Sequence, residues 1–450
     1  MKWHFVGVGG IGMSGLARIL LQKGQEVSGC DVKEGPVLEE LRQLGARIEL
    51  GHSPAHLEEG MQVVLSSAIS LEEEEVRAAR AMGLPLFHRG ELLADLFREK
   101  RGVAVAGSHG KSTTTAMTVM ALTHAGVDPS FLVGARLQDL GVSSHWGKGP
   151  YLVAEVDESD RSFTWVEPAV AVITNIDDDH LERYGSLEAM EEAFLEFASK
   201  ARHRVACADD EKARRLFRGS MPFLSYGFSA EADLQAEEVE LKDLGSSFTV
   251  RWEGRRVARV ALKVPGIHNV RNALGALGAG LLLGLEPAAL AQGLSAYSGI
   301  GRRFELLGKD RGITVLDDYA HHPAEIKATL AAARRLNGHR LLVVFQPHRF
   351  SRTRRLAASF GEAFADADRL YLLPIYSAGE AEDPEVRSDD IARHVLAHGA
   401  PPVEVWEDRE GLRDHLLAIL EEGDVLLYMG AGDVGQEGLR LVQALRALQS

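Results

Sequence analysis

The sequence predicts an α/β protein made of three modules in series, and three observations carry that prediction. Short apolar runs alternate with helix-period patterns along most of the chain, the signature of parallel βαβ units. Two glycine loops, Gly7 to Gly12 and Gly107 to Gly110, each follow a strand-like run and open a helix-like one. The chain has 450 residues, 45% hydrophobic and 26% charged, which is enough for several cores and unlike a disordered or fibrous sequence.

The elements follow in order. Trp3 to Val6 reads as a strand, Met13 to Gln22 as a helix, Glu26 to Cys30 as a strand and Leu38 to Leu44 as a helix. Val63 to Ser66, Glu73 to Met82 and Gly90 to Arg98 continue the alternation up to a charged boundary at Arg98 to Arg101. A second module opens with strand Gly102 to Ala106 and a helix from Lys111, followed by strands Tyr151 to Val156 and Val170 to Thr174. The alternating stretch from Ala230 to Val264 predicts antiparallel strands before a helix over Asn269 to Leu285. In the third module, strand Ile313 to Asp317, helix Ala324 to Leu336, strand Leu341 to Gln346 and helix Ser351 to Phe364 precede strands Leu370 to Pro374 and Val425 to Met429 and a last helix. The boundaries read from this pattern are 1–98, 99–298 and 299–450.

Composition narrows the function. The 50 Lys and Arg against 65 Asp and Glu give a net charge of −15, which argues against a nucleic-acid partner or an anionic membrane surface. An anionic ligand therefore needs a local basic pocket. Cys30 and Cys207 are the only two cysteines, so no disulfide framework is expected and a reducing cytoplasm fits. The start, MKWHFVGVGG, lacks the features of a signal peptide, and the longest apolar stretch, Ala273 to Leu285, is short for a membrane span and reads as a buried helix.

Gly7-Val8-Gly9-Gly10-Ile11-Gly12 fits G-x-G-x-x-G in its required context, where backbone amides at a helix start approach a diphosphate. Asp31 lies where a dinucleotide enzyme places its ribose carboxylate, so a nicotinamide-linked oxidoreductase stays open. Gly107-Ser108-His109-Gly110-Lys111-Ser112-Thr113 is a shortened phosphate loop, with Val105 where the standard pattern has its first glycine. Its lysine can meet nucleotide phosphates and Ser112 can ligate Mg²⁺. Glu155-Val-Asp157-Glu158-Ser-Asp160 and Asn175-Ile-Asp177-Asp178-Asp179-His180 end the next two strands and offer oxygen ligands for that cation. Arg349, Arg352, Arg354 and Arg355 cluster in an acidic chain, which points to an anion site. His321-His322-Pro323 also reads as a helix-start turn, and Asn269 as a residue bonding backbone at a helix start.

Taken together, GVGGIGMSGLA, SSAI, GSHGKSTTT, EVDESD, TNIDDDH, PGIHNVRNALGA, GIGRRFE, DDYAHHP, FQPHRFSRT, SAGE and GAGDVG resemble the Mur ligases of bacterial cell-wall synthesis, and within them the alanine-adding members. The resemblance spans nearly the whole chain. It implies an N-terminal Rossmann-like UDP-binding domain, a central P-loop ATPase domain and a C-terminal Rossmann-like domain. The implied activity is ATP-dependent ligation of L-alanine to the lactyl carboxylate of UDP-N-acetylmuramate, with ATP and Mg²⁺ as cofactors. By the same resemblance, Gly9, Gly10 and Gly12 hold the UDP diphosphate, with Asp31, Ser66, Ser67 and Ala68 near the UDP-sugar. Gly107 to Thr113 cradle ATP, Lys111 meets the β and γ phosphates, and Ser112, Glu155 and His180 bind metal. Asn269, Arg303 and Asp317 receive the adenosine, while Tyr319, His321, Arg349 and Arg352 receive L-alanine and the substrate carboxylate. His321 is the candidate for taking the amine proton, because an imidazole changes charge near neutral pH.

Several sister ligases carry a carbamylated lysine at the metal site. The corresponding helix here, Ser186 to Ala198, has Glu191, Glu192 and Glu196 and no lysine, as alanine-adding members do. A ligase acting on a murein tripeptide with the same UDP-sugar is the nearest alternative, and a non-catalytic nucleotide sensor is a more distant one.

Overall fold

The computed structural model describes residues 1–177, 181–242, 244–336, 338–399 and 401–447. The chain divides into two compact units, one of residues 1–239, 247–262 and 269–298 and the other of 240–246, 263–268 and 299–450.

The first unit begins with β1 (Lys2–Val6), α1 (Ile11–Gln22), β2 (Glu26–Asp31), α2 (Pro36–Gln43), β3 (Arg47–Leu50), β4 (Met61–Leu65), α3 (Glu74–Ala81), β5 (Leu86–His88) and α4 (Arg89–Glu99). Its strands form a parallel sheet in the order β3-β2-β1-β4-β5. Side chains alternate across a strand. Trp3 and Phe5 therefore meet Leu16, Leu20, Leu92 and Phe97 on one face, while Val6, Cys30, Val63 and Leu65 meet Val76 and Ala79 on the other.

A sheet of ten strands follows, with β6 (Arg101–Ala106), α5 (Lys111–His124), β7 (Ser130–Leu132), β8 (Ser144–His145), β9 (Tyr151–Glu155) and β10 (Val170–Ile173). Beyond α6 (Leu181–Tyr184) and α7 (Leu187–Lys200) come β11 (His203–Cys207), α8 (Glu211–Phe217), β12 (Leu224–Gly227), β13 (Leu234–Lys242), β14 (Gly245–Trp252) and β15 (Arg255–Leu262). The strands expected in the 230–264 region are thus β13 to β15. α7 runs two residues past the expected end and takes in Lys200, whose ammonium is tied to Thr164 O and Glu196. β6 lies between β10 and β9, parallel to both, so the phosphate loop, Glu155 and Asn175 all leave the sheet at its carboxyl edge.

α9 (Ile267–Leu282) is buried from Asn269 to Leu281 except at Arg271, as the apolar pattern predicts, and α10 (Pro287–Ala296) follows it. α9 stops short of the expected Leu285 because Gly284 turns left-handed at φ 81° and Leu285 N–H bonds back to Gly280 O.

The second unit holds β16 (Glu305–Asp310), β17 (Ile313–Asp318), α11 (Pro323–Ala333), β18 (Leu341–Phe345), α12 (Phe350–Ala363), β19 (Arg369–Leu372), α13 (Ser388–Ala397), β20 (Val403–Val405), α14 (Arg409–Ile419), β21 (Val425–Met429) and α15 (Val434–Ala447). The order is β16-β17-β21-β18-β19-β20, with only β16 antiparallel to its neighbour. No helix among the described residues is long and apolar enough to cross a membrane.

Candidate active site

The first glycine loop is tied to the strand ends around it. Gly7 and Val8 N–H donate to Cys30 O, and Gly9 N–H donates to Asp31 Oδ2 at 2.8 Å. Asp31 therefore orients the loop, while Gly10 caps α1 with no side-chain acceptor and no acidic residue lies in the first turn. That leaves the positive end of the helix for an anion. Ser66, Ser67 and Ala68 follow β4, with Ala68 N–H bonded to Ser66 Oγ. Ser67 Oγ donates to Asp160 at 3.0 Å and accepts from Arg89 Nε at 3.1 Å. Arg89 also bridges Asp157 and Asp160 at 3.2 and 3.0 Å. Arg89 joins the Ser66–Ala68 turn to the acidic run, a role with no local signal in the sequence.

The second loop requires its glycines. At Gly107, φ 130°, a Cβ would lie 2.1 Å from Thr174 Oγ1, and at Gly110, φ 79°, it would lie 2.6 Å from Asn272 Oδ1. Asn175 fastens the loop by accepting from His109 N–H through Oδ1 and donating to His109 O, both at 2.9 Å. Thr174 Oγ1 donates to the same carbonyl. Ser108 Oγ accepts from Asp177 N–H at 2.8 Å. Asn272, set against Gly110, donates to Asn269 Oδ1, which brings Asn269 to this loop.

Lys111 Nζ donates to Gly107 O at 2.6 Å and to both Glu158 oxygens at 3.0 and 2.8 Å. Glu158 is fully buried. Burial alone would discharge the ammonium, but Glu158, Asp157 and Glu155 outweigh it and raise its pKa. Burial likewise opposes the Asp157 charge, yet Lys111 and Arg89 hold its carboxyl at about 2. Glu155 ends β9 with a buried Oε2 that has no hydrogen-bond partner. Its other oxygen rests where a Cβ on residue 134 would sit, 2.0 Å away, so Gly134 makes room for the carboxylate. An unsatisfied buried carboxylate oxygen whose charge is felt by Lys111 of the phosphate loop fits a hard, oxygen-seeking cation such as Mg²⁺. His180 lies outside the described residues.

In the second unit, Tyr319, His321, His348 and Tyr376 follow β17, β18 and β19. Arg302 is the hub of this edge: Nε donates to Asp317 at 3.0 Å, Nη1 to Gly432 O and Nη2 to Gly430 O, and its guanidinium lies over the Tyr319 ring. Arg303 lies 5.2 Å from the same ring and 3.7 Å from Glu325. Asp317 keeps a buried Oδ1 with no partner, and burial raises its carboxyl pKa despite Arg302. Asp318 accepts from Phe304 and Ala320 N–H, which fixes the turn into Tyr319, and burial lifts it to about 6.

His321 Nδ1 donates to Tyr319 O at 3.0 Å, which leaves Nε2 to accept a proton. Burial, reinforced by Arg352 and against the pull of Glu325, lowers its pKa to about 4. The sequence expectation that this ring changes charge near neutral pH therefore does not hold in the free chain: it is neutral there. His348, missed in the sequence reading, stacks on Tyr376 at 5.7 Å, accepts from Arg352 Nη1 at 3.0 Å and falls to about 3 through burial and neighbouring charge. Arg349 takes a left-handed φ of 71°, and its Nε is buried without a partner. Backbone strain and an unsatisfied guanidinium nitrogen thus coincide at one residue.

Family models match in chain order. "Mur ligase family, catalytic domain" covers residues 2–101, "Mur ligase middle domain" 105–280 and "Mur ligase, glutamate ligase domain" 302–432. A UDP-N-acetylmuramate–L-alanine ligase of Pelobacter propionicus is 43% identical over 450 residues, covering 99% of this chain and 98% of that protein. The corresponding ligase of Geobacter sulfurreducens is 44% identical, covering 97% and 96%. The crystal structure of UDP-N-acetylmuramate-alanine ligase from Thermotoga maritima matches with a TM-score of 0.86 at 31% identity over the whole of both chains. A murein peptide ligase from Psychrobacter arcticus matches at 0.74 and 26%, covering 99% and 98%. With full-length relatives well above 30% identity, the chain belongs to the Mur ligase family.

Proposed function

We propose that this chain is the ATP-dependent ligase that joins L-alanine to the lactyl carboxylate of UDP-N-acetylmuramate, giving UDP-N-acetylmuramoyl-L-alanine, ADP and phosphate. The observation that carries this reading is the near full-length identity of 41 to 44% to L-alanine ligases. The murein-peptide ligase alternative rests on a lower likeness, 26%. A full-length ligase match also displaces the nicotinamide reading of the first glycine loop. We place the enzyme in the cytoplasm, in keeping with two buried free thiols.

A carboxylate is a poor electrophile, so it must be activated. Its oxygen attacks the γ-phosphorus of ATP and the bond to ADP breaks, leaving an acyl phosphate. The neutral amine of L-alanine then adds to the carbonyl, and the tetrahedral intermediate expels phosphate and loses a proton. Lys111, already charged and fixed at the loop, balances the charge that builds as carboxylate meets phosphate. Ser112, Glu155 and His180 would hold Mg²⁺, which when bound shares that task. Gly9, Gly10 and Gly12 take the diphosphate of the UDP-sugar, with Asp31, Ser66, Ser67 and Ala68 around it, and Asn269, Arg303 and Asp317 take the adenosine. Arg349 and Arg352 bind carboxylate, Tyr319 packs beside it, and the proton-free Nε2 of His321 takes the amine proton.

Phosphate release tests the assignment, measured with ATP, Mg²⁺ and UDP-N-acetylmuramate plus no amine, glycine, serine, L-alanine or L-Ala-D-Glu-meso-diaminopimelate. Release that needs both the UDP-sugar and L-alanine supports it. Release with the tripeptide alone transfers the assignment to the murein-peptide reaction.

A further inference from the structure

A second cluster of metal-ligating side chains lies under the first sheet, on the face covered by α3 and apart from the catalytic loops. His4 on β1 and Cys30 on β2 share that face, α3 supplies Glu75, and the segment after β3 supplies His52 and His56. His4, Cys30 and Glu75 are completely buried. His4 Nε2 lies 2.9 Å and His56 Nδ1 3.0 Å from Glu75 Oε1, and Cys30 Sγ lies 3.0 Å from Oε2. One ligand atom from each of His4, Cys30, His56 and Glu75 falls within 4.8 Å of every other. We propose that these four residues form a closed structural site for a zinc-class divalent cation.

The donor set argues for the class of ion. Two imidazoles, a thiolate and a carboxylate suit a borderline-soft, tetrahedral cation, whereas Mg²⁺ and Ca²⁺ seek oxygen alone. Bonds of about 2.0–2.3 Å place tetrahedral ligands roughly 3.3–3.8 Å apart, so the side chains need only open slightly from their present contacts. His52 and His56 are 11% and 14% exposed at the side chain, which leaves the pocket an entrance.

The charges are compatible with that geometry. Burial opposes the Glu75 charge, but hydrogen bonds from His4 and Cys30 outweigh it and hold the carboxyl at about 2. An ionised carboxylate only accepts, so His4 Nε2, His56 Nδ1 and Cys30 Sγ all carry protons toward it. Ser28 Oγ lies 2.8 Å from His4 Nδ1 and within reach of Trp3 O, so it fixes the orientation of the His4 ring. A dication takes the place of the protons that point at Glu75. Cys30 releases its proton to solvent, and His4 Nε2 and His56 Nδ1 are freed of theirs so that each ring stays a neutral ligand. Thiolate and carboxylate then offset the two positive charges. Ser28 holds His4 as the Nε2 ligand, and His52 Nδ1, 3.1 Å from Cys30 Sγ, supports the thiolate. Because Cys30 O accepts from Gly7 and Val8, the site would brace the base of the first glycine loop.

Cobalt substitution tests the site without reference to activity. The full-length protein is stripped with chelator, dialysed against Co²⁺ with excess Mg²⁺ to fill oxygen sites, and read by metal analysis and absorbance. One Co²⁺ per chain is expected, with a thiolate-to-cobalt charge-transfer band and the intense visible bands of tetrahedral cobalt, both displaced by one equivalent of Zn²⁺. Cys30→Ser should remove the charge-transfer band while Cys207→Ser keeps it. Ser28→Ala should weaken binding about 10- to 100-fold. No stoichiometric cobalt in the wild-type protein, or a spectrum without the thiolate band, would overturn the proposal and leave a self-sufficient hydrogen-bonded pocket.

Discussion

The phosphate loop of the first unit and the histidine cluster of the second both bury ionisable groups, yet they fix opposite protonation states. Lys111 is buried against Glu158, Asp157 and Glu155 and is held charged. His321 and His348 are buried beside Arg352, and both are held neutral. Desolvation acts on all three in the same direction, so the sign of the neighbouring charges decides the outcome. The first region is thereby a ready cation for phosphate chemistry, and the second pairs fixed arginine charge with a neutral imidazole.

Removing the lysine is the sharpest way to break this comparison. Lys111→Ala should lower kcat at least about 10²- to 10³-fold while UDP-sugar binding, read by calorimetry, stays nearly intact. The change also takes the Lys111 ammonium away from the buried Glu158 carboxylate, at a cost of about 3–5 kcal/mol in stability. Lys111→Ala combined with Glu158→Gln should recover most of the melting temperature and none of the rate. Recovery of turnover in the double variant would show that the lysine serves only the fold.

Next in size is His321. His321→Gln should reduce kcat about 10²- to 10⁴-fold. The wild-type profile of kcat/KM should show no inflection from this group between pH 5.5 and 8, since its titration lies near 4. An unchanged rate in the variant would remove His321 from the chemistry.

Stability against pH sharpens the same contrast. The two histidines bind protons more weakly folded, at about 4 and about 3, than at the ordinary 6.5. The unfolded chain therefore takes up more protons as pH falls below about 6.5. Their contribution is complete above that value and is lost progressively toward pH 4, by on the order of 1–3 kcal/mol per ring. His348→Gln should flatten the fall in melting temperature over that window, and an unchanged slope would contradict the neutral assignment.

Smaller effects are expected where backbone and loop geometry are concerned. Arg349→Gly relieves the left-handed conformation by about 1 kcal/mol while removing the guanidinium. Stability should hold or rise while a substrate KM increases, and a fall in both would mean that Arg349 serves the fold. Asp31→Ala loses one hydrogen bond to the first loop, so the UDP-sugar KM should rise about fivefold.

The glycine loops were legible because each is local: strand, glycines and helix lie within about 20 residues, and the residue types report the backbone they need. α9 was legible because its apolar run, though broken by glycines, is long. Arg89, Glu158, Arg302 and His348 were not, because their roles arise from partners distant in sequence. Arg89 joins Ser67 to Asp160, and Arg302 reaches Gly430 and Gly432. Glu158 stands in an acidic run, and its burial against Lys111 distinguishes it from Asp157 and Asp160. β3, β5 and β20 were missed because three or four half-exposed residues show no readable alternation.

The central claim is that phosphoryl transfer to the substrate carboxylate precedes amide formation. It is tested most directly with UDP-N-acetylmuramate carrying ¹⁸O in both lactyl carboxylate oxygens, turned over with ATP and L-alanine. The account predicts one ¹⁸O in each phosphate released and one retained in the new amide. Phosphate free of ¹⁸O would contradict it.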